Sequence, residues 1–421
     1  MPDSMTWDWQ PGEKQIPIGE WRENYRWVEE PYASPDGEKV AAVVCVDEGE
    51  FNVCVNGQTW EGVFDKIWYP RFSPDGRLTA IVSDSGEWTL AVDGVLWENR
   101  FGYVWNTQFA DGGNAIAVCA QQDMKYMMAV NDTPWEQSYD NMTHPFISKD
   151  GKKTAATVSM VQLGEGDIHK FQEGAYTAVV DGEPWERMFV NVWNKAFSLD
   201  GTRMAAEVRT SLYDYTIAVN GEPWDETFSS VWEPVFHPVR GTVLAPARTK
   251  GKWFLAENGQ PLWDGRYLQL WHLMFSPDGA KTAAIAAPKF GEWTMVVDGA
   301  LWNTRVDGLL TDAVFSPDGS RIAAVAKDRE KWRILVDDRL WPGDFDMVYQ
   351  PVFSPGSDTV AVKVEKAGKF GLVLNGKPWS VKFDAIWEPV FSPDGTHIMV
   401  RSIENDVYSR RVMPVSTLTG S

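Results

Sequence analysis

Short apolar runs recur along the chain, each bounded by turn residues. One stretch reads Trp68 to Phe72, Leu78 to Val82, Trp88 to Val92 and Leu96 to Phe101. Each run has strand length and is rich in β-branched and aromatic residues. The Asn-Gly and Asp-Gly pairs between runs are hairpin dipeptides, because both positions of such a turn need φ > 0. Ser-Pro-Asp-Gly suits a type I turn with proline at its second position. The pattern predicts four antiparallel strands in about 40 residues.

The unit repeats. Phe72-Ser73-Pro74-Asp75-Gly76 recurs at 275–279, 315–319 and 391–395, with looser copies at 33–37, 109–113, 147–151, 197–201, 236–241 and 353–357. These ten copies are spaced by about 40 residues, except for the 50 between 147 and 197. A tryptophan precedes each copy by 12 residues, or by 13 at Trp302: Trp21, Trp60, Trp97, Trp135, Trp185, Trp224, Trp263, Trp341 and Trp379 complete the set. An Asn/Asp-Gly turn follows an aromatic by five residues, as in Phe51 and Asn56, or Trp88 and Asp93; Tyr408 is a plausible tenth aromatic. Four residues before the Phe-type position lie Trp68, Trp105, Trp193, Trp232, Trp271 and Trp387.

A single four-stranded unit cannot bury both faces of its sheet, so it needs neighbours stacked on it. The predicted fold is all-β: a β-propeller of about ten blades in one ring, with two five-bladed rings as the alternative. Large aromatics would fill the wedge between blades, and the small residues of the second strand, such as Ala155-Ala156 and Ala323-Ala324, would make room for them. The run from Ile16 to Trp21 reads as the outer strand of the last blade. The expected organisation is an N-terminal arm at 1–14, a propeller at 15–415 and a tail at 416–421.

The repeated Phe-Ser-Pro-Asp-Gly motif with four strands per repeat resembles the WD-repeat-like propellers, including the TolB type. That resemblance covers nearly the whole chain and implies a fold rather than an activity.

The composition sharpens this reading. Of 23 tryptophans, all but Trp7, Trp9 and Trp27 fall on repeat landmarks, so the excess belongs to the architecture. The net charge of −20 argues against nucleic acid and anionic lipid, which require basic patches. No apolar run approaches the roughly 18 residues of a membrane helix, so direct membrane insertion is not expected. The acidic, tryptophan-bearing start lacks the form of a secretory signal. Three cysteines, Cys45, Cys54 and Cys119, do not make a disulfide framework, and the expected compartment is the cytoplasm. Cys45 and Cys54 lie on consecutive predicted strands, where they would be able to face one another; two buried free thiols are favoured over a redox pair.

The aspartates of the Ser-Pro-Asp-Gly turns admit two readings, as calcium ligands or acids and as turn carboxylates bonding their own backbone; tenfold repetition favours the second. The residue three before each Phe-type position is mostly polar: Glu30, Tyr69, Asn106, His144, Asn194, Glu233, His272, Asp312, Gln350 and Glu388. On the innermost strand these would form a polar, acidic collar around a channel. The five histidines show no metal-ligand spacing, and no nucleophile motif, phosphate loop or dinucleotide fingerprint occurs. No cofactor is expected.

Function on a repeat fold sits in what breaks the repeat. Two segments do so: the insertion at 159–174, with Gly164, Asp167 and His169, and the arm, with Trp7 and Trp9. These five are the candidate partner contacts. The expected function is a non-catalytic scaffold acting through protein partners. The alternative is a hydrolase or small-molecule-binding protein using the channel mouth, with His144, His272 and Glu233 as first suspects. The Met5-Thr6-Trp7-Asp8-Trp9 start and the tryptophan-rich character resemble the tryptophan-rich subunit of the transmembrane redox (Tmc) complex of sulfate-reducing bacteria. That resemblance implies an electron-transfer assembly with iron–sulfur and membrane subunits as partners, and membrane association only through them.

Overall fold

The computed structural model describes residues 4–164 and 166–419. It is all-β, and its strands form ten antiparallel sheets. Within nine of the ten sheets the strands are neighbours in chain order, which is the blade of a propeller; the fold is a ten-bladed β-propeller. Blades 1 to 5 span residues 27–59, 66–96, 103–134, 142–184 and 191–223. Blades 6 to 9 span 230–261, 269–301, 309–340 and 347–378, and blade 10 spans 385–414 with a strand from the N-terminal region.

The chain forms two compact units. One comprises residues 15–193 with 406–410 and the segment up to Asp8; the other comprises 194–405 with 9–14 and the segment from Arg411 onward. In each unit the core is laid down between consecutive blades. In the first, Ile81, Trp88, Leu90 and Trp97 of blade 2 pack with Val104, Ile116 and Val118 of blade 3. In the second, Leu244, Trp253 and Leu255 of blade 6 pack with Leu270, Ala284 and Val296 of blade 7. The second strands are buried along nearly their whole length, as in Val40–Asp47 and Leu78–Asp84, where small residues face large ones from the neighbour.

The turn chemistry follows the sequence pattern. Asn56 has φ +50 and Gly57 φ +89, and the Asn56 side-chain oxygen accepts the Val40 N–H at 2.8 Å. The same bond recurs from Asp93 to Leu78, Asn220 to Met204 and Asn375 to Val360. The glycine of this turn has a second reason to be glycine. A Cβ on Gly94 would lie 3.0 Å from the ring of Trp60, and one on Gly299 would lie 3.4 Å from Trp263. Trp60, Trp135, Trp224, Trp263 and Trp341 thus each seat beneath the hairpin of the next blade. Trp21, 4% exposed, does the same beneath Gly57.

The N-terminal strand adds to the last blade, but earlier in the chain than expected. It is Gly12–Ile16, and it neighbours Val407–Pro414. Ile16 to Trp21 is not the strand: Ile18–Glu20 is a 3₁₀ turn and Trp21–Asn24 a helical turn. Pro17 lies between, and without an N–H it cannot continue a ladder. Gly19 instead donates its N–H to the Asp406 carbonyl at 2.9 Å.

Buried side chains fasten the same region. Tyr408, 1% exposed, donates its hydroxyl to the Gly37 carbonyl. Arg410, 3% exposed, donates to the Asp36 and Asp8 carbonyls and lies 3.1 Å from the Glu38 carboxylate. The chain ends in a short helix, Val415–Thr419, whose Leu418 packs with Leu372 and Ile398.

Cys45 and Cys54 are buried free thiols, as the favoured sequence reading has it, and they do not face one another. The register sets Cys45 opposite Phe51 and Cys54 opposite Ala42. The Cys45 thiol contacts the Asp47 carbonyl, and burial pushes the Cys54 and Cys119 thiols up, the latter to about 12.

Candidate functional site

The repeat-specific polar residue lies at a break in the first strand of its blade. In blades 2, 3, 4, 7 and 8 the register shifts there, between Trp68 and Arg71 for example, and the residue adopts a left-handed backbone: Tyr69 φ +52, Asn106 +56, His144 +50, His272 +54 and Asp312 +50. Such a bulge re-aims a side chain. In blades 1, 6, 9 and 10 the strand is cut in two, and Pro31, Pro234, Pro351 or Pro389 directly follows Glu30, Glu233, Gln350 or Glu388. His272 and Asp312 are half-buried; the other eight of the ten are exposed. They fall into both units. Glu30, Tyr69, Asn106 and His144 belong to the first, and Asn194, Glu233, His272, Asp312, Gln350 and Glu388 to the second.

Beside these breaks run aromatic pairs. The tryptophan just before the bulge packs on the aromatic of the third strand. Trp68 and Trp88 have centroids 4.3 Å apart, and Trp232 and Trp253 are parallel, 5.2 Å apart with 7° between planes.

A concavity of about 490 Å³ opens where blades 5, 6 and 7 bring their breaks together. It is lined by Asn194, Trp232, Glu233, Pro246, Gln269, Trp271, His272, Leu273 and Trp293. His272 reaches past it through Nε2, 2.8 Å from the Ala313 carbonyl. Behind Asn194 lies a group the sequence reading passed over. Glu207, 8% exposed, sits on the buried second strand Met204–Arg209 and accepts a 3.0 Å hydrogen bond from the Asn194 amide. Burial pushes its carboxyl up to about 7, with Glu233 adding to the rise against the opposing hydrogen bond. Desolvation likewise pushes the neighbouring Lys195 ammonium down to about 7. The sequence signal for Glu207 was weak: the corresponding residue is Val43, Ile81, Cys119 or Val325 in some blades, but Thr157, Lys363 or Arg401 in others, so a polar or charged residue there is not peculiar to blade 5.

A second concavity, of about 760 Å³, lies in the first unit among blades 2, 3 and 4, with Arg71, Asn106, Gln108, Phe109 and Pro145 in its lining. Arg71 donates to the Thr107 carbonyl at 2.9 Å and lies over the Phe109 ring.

The turn aspartates are occupied with their own loops. Asp36, Asp278 and Asp394 each accept the hydroxyl of the serine two residues earlier and the N–H two residues later. Serine hydroxyl bonds hold the Asp200 and Asp394 carboxyls down at about 2. In blade 6 the turn serine is replaced by His237, 2% exposed, whose Nδ1 accepts the Val239 and Arg240 N–H groups. Among the described residues no three His, Cys, Asp or Glu side chains are grouped to hold a metal ion.

None of the candidate partner contacts is among the lining residues of either concavity. Trp7 and Trp9 are half-buried. The insertion carries a helix, Ile168–Glu173, with His169 exposed on it. Asp167 is engaged locally by the Gly164 N–H and the Lys170 ammonium.

No protein-family model matches this chain, and no curated protein matches it. The crystal structure of a eukaryotic initiation factor is similar, with 12% sequence identity and a TM-score of 0.50 over 90% of this chain and 98% of that one. At that identity the likeness is one of fold.

Proposed function

We propose that this propeller is a non-catalytic interaction subunit, a rigid scaffold whose partners dock on its strand connections. The observation that carries this reading is where the large apolar side chains are exposed. Met124, Tyr213 and Phe290 stand 79%, 81% and 97% exposed, each in the connection between the second and third strands of its blade. The blade 4 insertion occupies the same connection and adds Ile168, 62% exposed. Leu199 and Val239, 81% and 71% exposed, extend the feature to the connections between first and second strands; exposed apolar tips on loops are a contact feature rather than a packing one.

The resemblance of the tryptophan-rich chain to the Tmc subunit extends the reading to a membrane-associated electron-transfer complex on the cytoplasmic side. Its partners there would be an iron–sulfur subunit and membrane subunits. The propeller's part would be assembly, with electrons carried by the partners' cofactors. No helix among the described residues is long and apolar enough to cross a membrane, and attachment through partners agrees with that.

Affinity purification of the chain from membranes of its native cell tests this. Redox subunits should co-purify, and Tyr213→Ser with Phe290→Ser should release them without moving the unfolding midpoint. Recovery of a monomer with no redox partner overturns the proposal.

A further inference from the structure

The pocket at the breaks of blades 5, 6 and 7 has a composition unlike a simple packing defect. Three tryptophans line it, Trp232, Trp271 and Trp293, and Trp232 is fixed by stacking on Trp253. No lysine or arginine side chain is among its lining residues, whereas Glu233 is. Glu207 lies close enough behind Asn194 for its charged form to be disfavoured by Glu233. The site therefore joins electron-rich ring systems to the Glu233 carboxylate, which gains from a positive charge in the pocket.

We propose that this pocket binds a trimethylammonium group. A quaternary ammonium is weakly hydrated and large, so it gives up little water on entry and is attracted to the faces of indole rings. The Glu233 carboxylate supplies the counter-charge. An anion would meet the same carboxylate as repulsion, and a neutral ligand of the same shape would keep only the apolar contact. The pocket is within the usual range of small-molecule sites, roughly 300–1,000 Å³. The group has two sources, a free small molecule such as choline or a trimethylated lysine of a partner protein.

Isothermal titration of the full chain with choline, with its neutral isostere 3,3-dimethylbutan-1-ol and with a trimethyl-lysine peptide separates these possibilities. Choline should bind at least tenfold more tightly than the neutral isostere. Glu233→Gln should weaken it about tenfold, and because Glu233 is exposed this variant keeps the fold. Trp232→Leu should weaken it as well. A peptide that outcompetes choline assigns the site to a partner's modified lysine, and the reverse order assigns it to a small molecule. Equal affinity for choline and the isostere, no binding of either cation, or unchanged affinity in Glu233→Gln overturns the proposal.

Discussion

Glu207 offers a direct measure of how strongly the blade interior excludes charge. Its carboxyl, 8% exposed, is pushed from its ordinary value of 4.5 up to about 7, chiefly by burial. Between those values the folded protein holds a proton that the unfolded chain has released, so stability falls as pH rises. The favourable contribution is complete below about 4.5 and lost above about 7. At about 1.4 kcal/mol per pH unit, the difference amounts to about 3 kcal/mol. Glu207→Gln removes the titration while leaving an oxygen to accept the Asn194 amide. Urea unfolding of the two proteins should therefore coincide near pH 4 and diverge by about 3 kcal/mol, in favour of the variant, near pH 8. The denaturant slope should stay the same, so the gain appears in the midpoint. A variant no more stable than the parent at pH 8, or a difference that does not change between pH 4 and pH 8, refutes the reasoning.

Two further predictions test other parts of the repeat. Gly151 (φ +74) and Gly251 (φ +76) share a left-handed backbone, but a Cβ on Gly151 would sit 2.6 Å from the Ala115 methyl, whereas Gly251 faces open space. Gly151→Ala should cost about 1–3 kcal/mol more than Gly251→Ala in urea unfolding, and equal costs would show that blades 3 and 4 yield at that contact. His237 is held below its ordinary value, first by burial and then by Arg240, so its neutral form stabilises the fold above about 6.5 and that contribution is lost as pH falls. His237→Asn should flatten the decline in stability between pH 7 and pH 5, and parallel pH profiles would count against the assignment.

The repeat was legible because every blade solves the same packing problem with the same residues. Trp60 under Gly94 and Asn56 on the Val40 N–H are local bonds at fixed spacing, and fixed spacing is what a sequence displays. The start of the N-terminal strand was misplaced because alternation around Ile16 and Ile18 looks the same on either side of Pro17; only the missing N–H decides. That Cys45 and Cys54 would be free buried thiols was legible, but their register was not, since adjacency of strands does not say which residues are opposite. The polar positions themselves were visible in the sequence. Their left-handed backbone was not, because Tyr69, His144 and Asp312 have no common chemistry that demands φ > 0. The pocket was hidden for a different reason: it draws on three blades, bringing together Asn194, Glu233 and His272 from distant parts of the sequence.

The placement of Gly12–Ile16 in the last blade sets an order of events during synthesis. Its neighbour, Val407–Pro414, leaves the ribosome almost 400 residues later. At about 5–20 residues per second, the N-terminal strand waits roughly 20–80 s for a partner. An apolar edge left open for that time would recruit other nascent chains. This one reads Gly-Glu-Lys-Gln-Ile, with its first four residues exposed even in the finished blade. The join is thus entrusted to a polar strand, while its partner Val407–Pro414, which buries Tyr408, Arg410 and Val412, is made only when its place is ready.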